Sequence, residues 1–130
     1  MKILGTGVDI VETSRIARAI ERHGERFLAR IFTDGEREYC RAMKEPDAFY
    51  AARFAAKEAV SKALGTGITA QLGWRDIEVR RKASGAPFVV LQGEGASTAT
   101  RLGITEIHLS ISHSDHYAVA HALAVGDTSA

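Results

Sequence analysis

The stretch Phe54-Ala55-Ala56-Lys57-Glu58-Ala59-Val60-Ser61-Lys62-Ala63 decides the fold, because it sets charged side chains into an alanine-rich helix where packing is expected. At ~100° per residue, Phe49, Ala56, Val60 and Leu64 gather on one side of the helix, and Arg53 and Lys57 project within the same sector. A surface helix ordinarily keeps its charges on the opposite face. Glu58 and Lys62 can form a solvent-facing i,i+4 pair in the favourable order, contributing at most a few tenths of a kcal/mol. Arg53 and Lys57 have no such explanation. A cation on an apolar face is costly unless something negative meets it, so the segment implies an anionic ligand or an acidic neighbour.

Outward from this stretch, Pro46 starts the helix and Gly65, after Leu64, supplies its left-handed stop. Upstream, residues 3–10 read as a buried strand that carries Gly5 and Gly7 and ends near Asp9. Thr13 or Ser14 can cap a first helix running to about His23, with Ile16 and Ile20 as core contacts. Gly24 interrupts it, and a short turn around Phe27, Leu28 and Ile31 follows. Thr33 and Glu36 then make a capping box that opens a helix through about Met43.

Downstream, residues 77–81 and 88–91 read as a hairpin across the turn Ser84-Gly85-Ala86-Pro87, and residues 95–102 as a short helix. Residues 106–114 and 117–124 make a second hairpin across Ser114, Asp115 and His116. With a helix-rich first half followed by two hairpins, the order predicts an α+β fold in which an antiparallel sheet packs against the long helix. No repeat and no long linker divides the chain, so residues 1–130 are expected to form a single domain.

Composition narrows the function classes. Of 130 residues, 45% are hydrophobic and 25% charged, as in ordinary soluble globular proteins. Lys and Arg total 17 against 16 for Asp and Glu, a net charge of +1, so global charge offers no argument for nucleic acid. Cys40 is the single cysteine, which excludes an internal disulfide and a Cys-rich zinc site and suits a reducing cytosol. The N-terminal apolar run is broken by Gly5, Gly7 and Asp9 and makes no signal peptide, and no segment approaches the roughly 20 apolar residues that span a bilayer. A cytoplasmic protein with no membrane segment is expected; the tail 126–130 is small and polar.

Three constellations could carry chemistry. Asp9 at the end of the first strand and Glu58 in the long helix can converge on a hard divalent cation such as Mg²⁺, and the neighbouring Arg53, Lys57 and Lys62 are the cations a polyphosphate site needs. Taken alone, Asp9 reads equally as a loop or capping residue. In the second, Ser110-Ile111-Ser112-His113-Ser114, the serines share one strand face, and a hydroxyl or imidazole at the strand end can bond a phosphate or a purine. A Ser112-His113-Asp115 hydrolase triad is poorly spaced, and only part of the set His108, His113, His116 and His121 shares a face. Buried or sheet-face polar groups explain the segment as well.

The third is a run of Arg15, Arg18, Arg22 and Arg26, which on one helix forms a basic stripe opposite Ile16 and Ile20. A solvated face is one reading and an acidic partner surface is the other. No aromatic interleaving points to nucleic acid. Gly5-Thr6-Gly7 lacks the third glycine of a dinucleotide loop and reads as close backbone packing.

Two of these segments together resemble one family. Gly7-Val8-Asp9-Ile10-Val11-Glu12 is similar to the first motif of the 4′-phosphopantetheinyl transferases, and Phe54-x-x-Lys57-Glu58-Ala59-x-x-Lys62-Ala63 to the second. Length and spacing resemble the short, single-domain members, and the likeness runs from Ile3 to about Ala124 through Ser112-His113-Ser114.

The resemblance implies a transferase of fatty acid biosynthesis that moves the phosphopantetheine arm of coenzyme A to a serine of apo acyl carrier protein and releases adenosine 3′,5′-bisphosphate. It further implies that Asp9 and Glu58 hold Mg²⁺, that Glu58 and Lys62 are catalytic, and that Arg53, Lys62, Ser112 and His113 contact coenzyme A. Arg15, Arg18, Arg22 and Arg26 would then dock the acidic carrier, and members of this size resemble homotrimers with each site between protomers. Ala86 departs from the pattern, because relatives often carry a basic residue there. A Mg²⁺-dependent hydrolase of a nucleotide pyrophosphate and a noncatalytic module for an acidic protein are the competing readings.

Overall fold

The structure, a computed structural model, describes residues 1–127. Its axis is the helix α4, Pro46–Leu64, which follows β1 (Lys2–Glu12), α1 (Thr13–His23), α2 (Glu25–Ile31) and α3 (Asp34–Arg41). Pro46 stands in its first turn and Gly65 closes it in the left-handed region at φ 79°. Alanines account for much of its buried surface: Ala51, Ala52, Ala55, Ala56, Ala59 and Ala63 are all in the core.

Beyond α4, a 3₁₀ turn (Trp74–Asp76) leads into the hairpin β2 (Ile77–Arg81) and β3 (Pro87–Leu91), then α5 (Gly93–Arg101), β4 (Ile104–His113) and β5 (Tyr117–Gly126). The strands form two antiparallel sheets, one ordered β1-β5-β4 and one pairing β2 with β3. Both expected hairpins are present, and the fold is α+β.

Small residues bring α4 and the three-stranded sheet together. Ala118, Ala120, Ala122 and Ala124 of the central strand β5 face the helix and are at most 1% exposed. On β1 a Cβ at Gly5 would stand 2.0 Å from the Ala63 carbonyl oxygen, and one at Gly7 would stand 2.0 Å from that of Ala59. Backbone meets backbone here, as the glycine pair suggests.

The sheet is covered on this side alone. Residues 3–10 are therefore not the buried strand expected from their apolar content. Val8 and Ile10 are 56% and 64% exposed on the outer face, because no element of the described chain packs over it.

Three further expectations are corrected. Neither Thr13 nor Ser14 caps α1: Glu12 is the N-cap with no side-chain bond, and the Thr13 N–H donates instead to the His116 carbonyl at 2.9 Å. The segment around Phe27 is a helix rather than a turn, since Gly24 at φ 52° redirects the chain and α2 then buries Leu28 and Ile31, three apart on one face. The expected helix end at Met43 comes two residues earlier, at Arg41. Of the small polar tail, Gly126 closes β5 and Asp127 meets the N-terminal amine at 3.4 Å, while residues 128–130 lie outside the described residues.

The anomaly of Lys57 resolves into an acidic neighbour. Its Nζ stands 2.7 Å from Glu36 Oε1, both side chains fully buried, and it also donates to the carbonyls of Trp74 and Ile77. Glu36 makes the expected capping box with Thr33 and in addition accepts the Val79 N–H at 2.8 Å. One ion pair thus ties α3, α4 and β2 together, which is what makes a buried charge tolerable.

Candidate active site

The glycine contact between β1 and α4 delivers Asp9 to the helix. On the stretch where Gly5 and Gly7 touch α4, Asp9 is next in the period of two and points the same way. Lys62 answers it: its Nζ donates to the Val8 carbonyl at 2.9 Å and to Asp9 Oδ1 at 3.3 Å. Glu58 lies one turn earlier on the same face of α4.

Burial pushes the Glu58 carboxyl up from its ordinary value, and the charge of Asp9 pushes it further, against smaller opposing pulls from Lys62 and Arg15. Two half-enclosed carboxylates therefore face each other with one ammonium between strand and helix. Among the described residues no group of three or more His, Cys, Asp or Glu side chains converges, so a nitrogen- or sulfur-rich metal site is not built here. A pair of hard oxygen donors fits Mg²⁺, which takes few protein ligands and completes its shell with water or phosphate oxygens.

Other proposed contacts are placed differently. Arg53 is 2% exposed, with its guanidinium 4.1 Å from the centroid of the Tyr39 ring. It shares a helix face with Lys57, about 140° around α4 from Glu58, so it is not a neighbour of the carboxylate pair in this chain. Its Nε has no partner, and its charge acts on the buried Cys40 thiol.

Ser112 and His113 project from opposite faces of β4, which removes the hydrolase triad. Ser112 lies on the outer face in register with Val119, whereas the His113 ring meets Phe49 edge to face at 5.1 Å. His113, Phe49, Pro46, Asp47 and Asp115 border a cleft of about 720 Å³. Phe49 precedes Glu58 by nine residues of helix, roughly 14 Å along the axis. His113 and the carboxylate pair are thus separate places on one chain.

The basic run is also divided. Arg15, Arg18 and Arg22 are exposed on α1, but Arg26 belongs to α2 beyond the Gly24 bend, so the four do not form one helical stripe. Sequence reasoning missed what Arg15 touches. Its guanidinium lies 5.9 Å over the Phe54 ring, which stacks on Trp74 at 5.0 Å, and it is the α1 cation that acts on Glu58. The motif position of Phe54 and the lone tryptophan were the available signals.

The Asp9, Glu58 and Lys62 geometry stands on the two segments that carry the family likeness. The family model described as the 4′-phosphopantetheinyl transferase superfamily matches residues 5–122. The chain is 50% identical to the holo-[acyl-carrier-protein] synthase of Koribacter versatilis, over 93% of this chain and 97% of the relative. To the Desulforudis audaxviator enzyme of the same name it is 52% identical, over 95% and 94%.

Solved structures agree. That of the Neisseria meningitidis holo-[acyl-carrier-protein] synthase matches with a TM-score of 0.90 at 34% identity, covering 95% of this chain and 99% of that one. The Helicobacter pylori holo-[acyl-carrier-protein] synthase in complex with coenzyme A matches at 0.83 and 31%, covering 92% and 99%. With sequence, fold and the strand-to-helix carboxylate pair in accord, the chain belongs to the 4′-phosphopantetheinyl transferase superfamily, among its holo-[acyl-carrier-protein] synthases.

Proposed function

We propose that the protein transfers the 4′-phosphopantetheine of coenzyme A to a serine of apo acyl carrier protein, releasing adenosine 3′,5′-bisphosphate, in fatty acid biosynthesis. The observation that carries this is the convergence of Asp9, Glu58 and Lys62 across the glycine contact of β1 and α4.

Asp9 and Glu58 are the residues that would hold Mg²⁺, which when bound disperses the negative charge of the pyrophosphate. Lys62, fixed by the Val8 carbonyl and Asp9, offers its ammonium to the phosphate that leaves. Glu58, already pushed toward its neutral form, is suited to accept the proton of the attacking serine hydroxyl. In the transfer, the bond from serine oxygen to phosphorus forms as the pyrophosphate bridge breaks, and the electron pair departs with adenosine 3′,5′-bisphosphate.

Arg15, Arg18 and Arg22 on α1, with Arg26 on α2, present a basic surface to an acidic carrier. Arg15 touches both this surface and the reacting region, so docking brings the carrier serine toward Glu58.

The separation of His113 from the carboxylate pair favours a site completed by another copy. The outer face of the β1-β5-β4 sheet, with Val8, Ile10, Tyr117 and Val119 exposed, is the surface we assign to self-association, consistent with a homotrimer in which His113 and Arg53, which border two separate clefts, serve the nucleotide of a neighbour. We place the reaction in the cytoplasm. The free, buried Cys40 suits a reducing compartment, and no helix of the described residues is long and apolar enough to cross a membrane.

Mass spectrometry of apo acyl carrier protein incubated with the protein, coenzyme A and Mg²⁺ tests the reading. Gain of the phosphopantetheine mass on the carrier serine is expected, with loss of the gain in Glu58→Gln. An unmodified carrier would overturn it. Turnover of coenzyme A without any carrier would favour the pyrophosphate hydrolase instead.

A further inference from the structure

Trp74 is the single tryptophan of the chain, and no step of the reaction above uses it. It opens the 3₁₀ turn Trp74–Asp76, whose backbone is tied down at three points. The fully buried Lys57 donates to the Trp74 carbonyl at 3.0 Å, Gln92 donates to the Arg75 carbonyl at 2.8 Å, and the Asp76 N–H donates to the Gly73 carbonyl at 3.1 Å. A side chain keeps a defined direction only where the backbone and packing behind it are fixed, and this turn meets that condition.

The indole is directed at Phe54. The two rings stack with centroids 5.0 Å apart and planes 27° from parallel. Phe54 stands one turn before Glu58 on the same face of α4, and the Arg15 guanidinium lies 5.9 Å over its ring. Among the described residues Arg15 is the one α1 arginine that lies over an aromatic ring, whereas Arg18 and Arg22 are simply exposed. An exposed arginine samples many rotamers, and the attraction of a ring face gives it a preferred place. That place is well defined here only while the Phe54 ring is itself held by the indole.

We infer that Trp74 is a positioning residue for the carrier: it holds the Phe54 ring in the orientation that seats Arg15 between the basic surface of α1 and Glu58. The inference rests on the transferase reading above and adds to it a residue that acts through two others. The contacts run from Lys57 through Trp74 and Phe54 to Arg15, so the buried cation supports the docking surface without reaching it. Loss of the stack should fall on the carrier and spare coenzyme A. Asp9, Glu58 and Lys62 are placed by the glycine contact of β1 with α4, in which Trp74 has no part.

Steady-state kinetics of carrier modification by the intact protein, with KM measured separately for carrier and for coenzyme A, provide the test in Trp74→Leu and Trp74→Phe. Both variants keep an apolar side chain against Phe54, but only phenylalanine offers it a ring face. Trp74→Leu should raise the KM for carrier ~5-fold or more while the KM for coenzyme A stays within about twofold, and Trp74→Phe should restore most of the loss. Adding Arg15→Ala to Trp74→Leu should cost little more, since Arg15 has already lost its seat. Phe54→Leu removes the other half of the stack and should give the same split, so the result does not depend on one variant folding, and far-UV circular dichroism records the fold of each. An equal carrier KM in Trp74→Leu and Trp74→Phe, a rise of both KM values together, or full additivity with Arg15→Ala would overturn the role of Trp74. A wild type that modifies no carrier would instead overturn the transferase reading.

Discussion

Glu36 shows how one side chain can carry more structure than its motif announces. The capping box uses one of its carboxylate oxygens, and Lys57 and the Val79 N–H complete its shell. Replacing Lys57 with Met leaves a fully buried carboxylate short of its counter-charge, and urea denaturation should show a loss of about 3–5 kcal/mol. A loss below ~1 kcal/mol would mean the pair is structurally idle.

Cys40 makes a second residue-scale prediction. Burial pushes its thiol from an ordinary 9.0 up to about 12. Between those values the unfolded chain has released the thiol proton and the folded chain has not. Its contribution is therefore complete below about pH 9 and falls by about 1.4 kcal/mol per pH unit above it. Denaturation curves at rising alkaline pH should converge for wild type and Cys40→Ala, and parallel pH dependences would contradict the buried thiol. The need of Lys57 for an acid is legible in the sequence because its helical sector is apolar. The identity of that acid is not, since a capping glutamate already looks fully employed. Arg53 reads as a ligand contact for the same reason, yet within its own chain it finds a tyrosine face.

Among the elements, β1 and α4 are the pair on which the site depends. A methyl group at Gly7 would press on the Ala59 carbonyl and on the Ala63 nitrogen and Lys62 Cβ, both at 2.8 Å. Gly7→Ala should therefore cost at least about 3 kcal/mol and displace Asp9 from Lys62. Gly67→Ala, left-handed at φ 66° but facing open space, should lose only about 1 kcal/mol when both variants are compared with the wild type by urea denaturation.

On α1, charge reversal at Arg18 and Arg22 should weaken carrier binding ~10-fold or more at low salt, with the difference shrinking as salt rises. Reversal at Arg26, across the bend at Gly24, should weaken it less, and surface plasmon resonance would rank them. The limits of α4 are plain in the sequence because proline and glycine mark both ends. Those of α2 are hidden, because seven residues carry too little periodicity to separate a short helix from a turn.

At the scale of the whole molecule, the first and last strands are neighbours. Lys2 pairs with Gly126, and the N-terminal amine lies 3.4 Å from Asp127. A circular permutant with its ends joined by a short linker and opened in the exposed turn at Ser84-Gly85 should keep the native circular dichroism spectrum. Loss of cooperative unfolding would show that β1 must lead the chain. The two hairpins are legible in the sequence because each is local. The pairing of β1 with β5, and with it the open outer face, spans the full chain and leaves no local signature. The resemblance of the two motifs supplied the convergence of Asp9 and Glu58 that periodicity alone could not.

The sheet-to-helix contact is built almost wholly from alanine and glycine, and this has a consequence for how the protein responds to mutagenesis. Truncating side chains to alanine, the usual way to find what matters, is silent at Ala59, Ala63, Ala118, Ala120, Ala122 and Ala124, since there is nothing to remove. The intolerance lies in the other direction. A library that enlarges residues should find its least permissive block among the chemically plainest positions of the chain, and that block should trace the seam along which Asp9 is presented to Glu58.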